Sequence, residues 1–114
     1  HLFVFRYDAA AFAGTPRARF LEALAAEGIP CASGDKPLYG EPAFQARFAD
    51  YPLDSPAFGG RPDYSRVHLP VTERICADEA VWLTQNLLLG SEADIESIAA
   101  AVTKIQRHAD RLAG

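Results

Sequence analysis

Five of the eight prolines and four of the eight glycines lie between residues 34 and 66. Such a stretch cannot carry a long helix or an inner strand, because proline lacks the N–H that either ladder needs and its ring clashes with the preceding helical turn. The prolines are Pro37, Pro42, Pro52, Pro56 and Pro62; the glycines are Gly34, Gly40, Gly59 and Gly60. Regular structure therefore has to come from residues 1–33 and 67–114. The same stretch nevertheless holds Tyr39, Phe44, Phe48, Tyr51, Phe58 and Tyr64. Disordered linkers are poor in aromatics, so it should be ordered by packing. Either it serves an interface or a site, or it covers the domain's own core. One short helix from Pro42 to Phe48 fits within it.

Before the loop, Leu2-Phe3-Val4-Phe5-Arg6-Tyr7 is aromatic and β-branched and reads as a buried strand ending at Asp8. Thr15-Pro16 opens a helix, with Thr15 as the cap and Pro16 at the first position, where a missing N–H costs nothing. Phe20, Leu21, Leu24 and Ala25 form its apolar face, with Arg17, Arg19 and Glu22 mostly outside it. Gly28 is the left-handed stop, and Ile29-Pro30 leads to a short strand at residues 31–33.

After the loop, Pro70 starts a helix through Val71, Ile75, Cys76 and Ala80, and residues 81–84 read as a third strand. Ser91 and Asp94 form a capping-box pair before a long helix whose apolar stripe is Ile95, Ile98, Val102, Ile105, Ala109 and Leu112. Glu92, Asp94 and Glu96 lie near its start and Arg107, His108 and Arg111 near its end, as the helix dipole favours. The fold class is α/β in the α+β sense, a small three-stranded sheet covered by helices. Its 114 residues suit a single domain.

A net charge of −4, with the arginines scattered, argues against a nucleic-acid partner, which needs a basic stripe to displace counterions. No apolar run approaches the ~18–20 residues of a membrane span. Cys31 and Cys76 are too few for a disulfide framework and lack metal-ligand spacing. They read as buried free thiols in a reducing cytoplasm. The chain holds no Met and opens directly into a strand-like run, so a fragment is expected.

Searched for chemistry, the chain shows no Gly-x-Ser-x-Gly elbow, no phosphate-cradling lysine loop and no His-Glu-x-x-His. His68 lies in a loop and His108 in a last helical turn. Asp50 and Asp54, in a proline-rich loop, read as solvated. No metal site is expected. The two lysines, Lys36 in the turn Gly34-Asp35-Lys36-Pro37 and Lys104 off the apolar stripe, lack the partly desolvated setting a Schiff-base lysine needs. The chain by itself should be inert.

Five stretches in order resemble the C-terminal portion of the DegT/DnrJ/StrS-type sugar aminotransferases. They are the opening His1-Leu2-Phe3-Val4-Phe5-Arg6, the run RARFLEALAAEGIP over residues 17–30, Pro37-Leu38-Tyr39, Leu69-Pro70-Val71-Thr72-Glu73-Arg74, and Leu87-Leu88-Leu89-Gly90. The resemblance implies the small C-terminal domain of a fold-type I aminotransferase dependent on pyridoxal phosphate. The larger cofactor-binding domain, with its lysine, would lie outside this chain, and no cofactor would be bound by the fragment.

The resemblance further implies that the loop after Gly28-Ile29-Pro30 faces a keto-sugar or keto-cyclitol, with Ser33, Gly34, Asp35, Lys36 and Tyr39 as candidate lining. The family often carries an aromatic residue two positions before the proline of that loop, and here Asp35 stands there. Lys36 could meet a nucleotide or phosphate group or be a solvated turn residue. Arg6 could reach the same cleft or cap a sheet edge. Expected partners are the missing large domain, a homodimer mate and a sugar or nucleotide-sugar substrate. The alternative is a stand-alone, non-catalytic ligand-binding or interaction module.

Overall fold

A computed structural model describes residues 1–45, 55–60 and 63–112. Strand β1 (Leu2–Arg6) pairs antiparallel with β2 (Ala80–Thr84), with Leu2 opposite Thr84, Val4 opposite Trp82 and Arg6 opposite Ala80. Hydrogen bonds from Tyr7 N to Glu79 O (2.7 Å) and from Gln85 N to His1 O (3.1 Å) extend the ladder past both ends. Between the strands in sequence lie helices α1 (Arg17–Ala26), α2 (Pro42–Gln45) and α3 (Pro70–Arg74), and α4 (Glu92–Arg107) follows β2.

Among the described residues, the expected three-stranded sheet is two strands and one bridge. Ala32 alone pairs with Trp82, through Ala32 N to Trp82 O (3.0 Å) and Trp82 N to Ala32 O (2.8 Å). The pairing stops there because Pro30 can donate no hydrogen bond and Gly34 turns the chain away at φ +83. Because Ala32 pairs on the far side of β2, β1 is an edge strand among the described residues rather than a buried one. Phe3 and Val4 are 49% and 53% exposed.

The core lies on the face of the sheet covered by α1 and α4. Tyr7 stacks on Phe20 at 4.7 Å between ring centroids, with Phe12 at 4.9 Å from Tyr7 and 5.1 Å from Phe20. Leu24, Ile29, Val81, Leu83, Ala101, Ile105 and Ala109 complete it. Phe20 and Leu24 are fully buried, each contributing about 1.5–3 kcal/mol by removal from water. Among the described residues, none from 34–66 belongs to this cluster. Tyr39, Phe44 and Tyr64, aromatics of the loop among the described residues, therefore take no part in the domain's buried core.

Local expectations divide. Gly28 takes the left-handed stop at φ +85. Ser91 and Asp94 form the full capping box, each side chain accepting the other's backbone N–H. Thr15, however, does not cap α1: its hydroxyl is buried and donates to Ala109 O at 3.0 Å, while Pro16 stands at the cap position with no side-chain bond. The last helix ends at Arg107, and residues 109–111 continue only as a 3₁₀ turn. Past Arg74, α3 widens into a π-helical turn at Ile75–Glu79. Val71 and Ile75 are 56% and 40% exposed.

Candidate functional site

The loop after Ile29-Pro30 is held in place by contacts that start on α1. Arg17, expected to face solvent, instead turns its guanidinium inward. Its Nη1 lies 3.2 Å from Ser33 O and 3.0 Å from both Cys76 O and Ala80 O, and its Nη2 lies 2.5 Å from Ala77 O. A cation here satisfies carbonyls left over at the end of a helical segment and opposes its negative dipole end. One residue past Ser33, Gly34 lies against the indole of Trp82. A Cβ at this glycine would sit 2.6 Å from the ring, and the backbone is left-handed as well. Only glycine satisfies both conditions.

From that point the chain borders an open cleft of about 460 Å³, lined by Gly34, Asp35, Lys36, Leu38 and Glu41. Three of the residues singled out from the sequence thus meet, and Asp35 and Lys36 are exposed to it. Ser33 sits at its edge with its carbonyl committed to Arg17.

Tyr39 follows on a 3₁₀ turn at Leu38–Gly40 and does not line the cleft. Its hydroxyl donates to Glu73 on α3. The same carboxylate accepts the Leu69 N–H at 3.0 Å and lies 2.8 Å from His68 Nδ1. Gln45 Nε2 donates to Tyr39 O at 2.5 Å, and Phe44 meets Tyr64 edge-on at 5.6 Å. These contacts raise the Tyr39 pKa, chiefly because the bond to Glu73 favours the protonated phenol, and lower that of Glu73, chiefly because Tyr39 donates to it.

Arg6 is engaged away from the cleft. Its Nε lies 2.9 Å from Glu79 Oε2, and Arg74 Nε donates to Glu79 Oε1 at 2.9 Å. This places Arg6 at the β1–helix junction. Both arginines are largely exposed, so each pair is worth at most about 1 kcal/mol.

Lys36 is exposed, and Lys104 is ion-paired to Glu27 at 2.7 Å. Cys31 is half-buried with its Sγ 3.5 Å from Leu21 O, and burial pushes its thiol pKa up, which opposes a reactive thiolate. Both cysteines are free thiols. Asp50, Asp54, Phe48 and Tyr51 lie outside the described residues. Among the described residues, no cluster of three or more His, Cys, Asp or Glu side chains gathers as a metal site. No helix there is long and apolar enough to cross a membrane.

Arg17, Glu73 and Trp82 are the residues sequence reasoning did not single out. Glu73 lies inside the Pro70-Val71-Thr72-Glu73-Arg74 stretch that carries the family resemblance, and this was the available pointer to it. Arg17 likewise opens the RARFLEALAAEGIP stretch of the resemblance, but nothing local set it apart from any solvated arginine in a first helical turn.

No family model matches the chain. It is 39% identical over 103 residues to the L-glutamine:2-deoxy-scyllo-inosose aminotransferase of Streptoalloteichus tenebrarius, covering 86% of this chain and 23% of that protein. A second protein of that organism, assigned as an L-glutamine:3-amino-2,3-dideoxy-scyllo-inosose aminotransferase, is 37% identical over 111 residues, covering 96% of this chain and 27% of the relative. One of the same assignment from Streptomyces kanamyceticus is 35% identical over 106 residues, covering 90% and 25%. The chain spans about a quarter of the length of the curated relatives it matches. By sequence the chain therefore corresponds to a small domain, about a quarter of the length, of proteins named as glutamine:scyllo-inosose aminotransferases.

Proposed function

We propose that this chain is the C-terminal, substrate-side domain of an aminotransferase that moves an amino group from glutamine onto a keto-cyclitol. The observation that carries this is the 39% identity to a 2-deoxy-scyllo-inosose aminotransferase over 86% of the chain. The cleft supports the cyclitol over a nucleotide-sugar. Its charged lining residues are Asp35, Glu41 and a single cation, Lys36. Two carboxylates beside one ammonium suit a polyhydroxylated or amine-bearing ring and oppose a diphosphate, which calls for converging cations.

Aminotransfer of this kind uses pyridoxal phosphate, held by a lysine that has to be partly desolvated to act as an amine. Neither lysine here fits that requirement: Lys36 is exposed and Lys104 is paired with Glu27. This supports placing the cofactor and its lysine in the remaining three quarters of the enzyme, with the present chain contributing a wall of the site and no chemistry of its own. The similarity lends nothing to a stand-alone interaction module.

The test is to express the full-length protein and assay amine transfer from glutamine to 2-deoxy-scyllo-inosose, with a nucleotide-linked keto-sugar in parallel. Transfer to the cyclitol alone is expected. Transfer only to the nucleotide-sugar would overturn the substrate assignment, and transfer to neither would overturn the activity. Expressed alone, residues 1–114 should give no turnover.

A further inference from the structure

We propose that Glu73 is a positioning residue that clamps the cleft loop through Tyr39, and so sets how the enzyme binds its ring acceptor. This rests on the reading that the loop faces the acceptor.

The loop is pinned at two places. On one side Arg17 holds Ser33 O and Gly34 is wedged against the Trp82 indole. On the other, Tyr39 donates to Glu73, whose carboxylate also takes the Leu69 N–H and the His68 ring nitrogen. Between these anchors lie Asp35 and Lys36, both exposed and both lining the cleft. Without the second anchor, the downstream end of the segment would lose its hydrogen bond to α3 and keep the Phe44–Tyr64 ring contact. Glu73 does not line the cleft, so it acts through Tyr39. The three donors that converge on it come from separate segments, the cleft loop and the entry to α3. A carboxylate that only ended a helix would need the Leu69 N–H alone.

The experiment uses the full-length enzyme carrying Glu73→Ala, Tyr39→Phe or both. In steady-state assays the KM for the keto-cyclitol should rise about 5- to 20-fold in each, with kcat within about twofold. The double variant should be no worse than the more affected single one, since the two residues form one link. Glu73→Gln, which keeps an acceptor oxygen, should recover part of the loss. Amide exchange at residues 38–41 should quicken in Tyr39→Phe, an isosteric change that removes one hydroxyl and keeps the fold.

A Tyr39→Phe enzyme with unchanged exchange and unchanged acceptor KM would overturn the clamp, as would equal losses in kcat and KM for both substrates. If the unmodified enzyme transfers no amine to any ring acceptor, the functional reading fails. The exchange measurement then still decides for or against the clamp.

Discussion

Arg17 on α1 donates to the carbonyl of Ser33, sixteen residues further on, across 3.2 Å, and with the same guanidinium reaches three carbonyls at the junction of α3 and β2. One side chain thereby joins the first helix, the start of the cleft loop and the entry to the second strand. The cleft's position relative to the core depends on this link.

Arg17→Ala should be among the most costly single changes outside the apolar core. It leaves carbonyls of Ser33, Cys76, Ala77 and Ala80 without their charged donor. A loss of about 2–3 kcal/mol is expected, because hydrogen bonds to a charged group are worth more than neutral ones. Arg17→Lys should recover little, since an ammonium cannot present the same planar fork. Denaturant melts of the three proteins would check the order, and an alanine variant within 0.5 kcal/mol of the parent is the contrary result.

Gly34→Ala should displace the cleft loop. The added methyl meets the Trp82 ring at 2.6 Å, and the residue would have to hold φ +83. Together these cost on the order of 1–3 kcal/mol. Trp82 is the sole tryptophan of the chain, so the emission of residues 1–114 reports the contact directly. A shift of the emission maximum is expected, and an unchanged spectrum with an unchanged melt would refute the close approach.

Thr15→Val and Tyr7→Phe should couple. The Tyr7 hydroxyl donates to Thr15 O at 2.7 Å, and the Thr15 hydroxyl donates to Ala109 O at 3.0 Å, both in the core. Each single change should cost about 1–2 kcal/mol, with a non-additive double variant because both bonds fix the same residue. Strict additivity in a double-mutant cycle would argue that the two bonds are independent.

Acid should weaken the start of α4 and the Glu73 cluster before it weakens the core. Asp94 is shifted down mainly by the Ser91 hydroxyl, and Glu73 mainly by Tyr39. A carboxylate with a depressed folded pKa contributes stability above its unfolded pKa, about 3.9 for Asp and 4.3 for Glu. That contribution is lost as pH falls through the lower folded value. Tyr39 runs the other way: its raised pKa gives stability below about 10 that is lost as pH rises through the folded value. Ser91→Ala should cost about 1 kcal/mol and flatten the acid limb. A stability profile through the acid range that is identical in Ser91→Ala and the parent would rule this out.

The elements with local causes were legible from the amino-acid order alone. The proline and glycine density of residues 34–66 confines regular structure to either side. Gly28 stops α1 because a left-handed residue is needed there, and Ser91 with Asp94 starts α4 because both partners of the capping box lie within four residues. The apolar spacing marked Phe20, Leu24 and Ile105 as core. Gly34, Asp35 and Lys36, which border the cleft, came from the family resemblance, since no local rule distinguishes them from an ordinary turn.

Features that depend on distant partners became visible only in the folded chain. Thr15 looks like a cap, yet a buried carbonyl 94 residues away competes successfully for its hydroxyl. The third strand shrinks to Ala32 because the pairing is limited by how far Pro30 and Gly34 allow the chain to follow Trp82. Arg17 and Glu73 are ordinary polar residues of short-range sequence. Their roles arise because folding brings unpaired carbonyls to the one and the Tyr39 hydroxyl to the other.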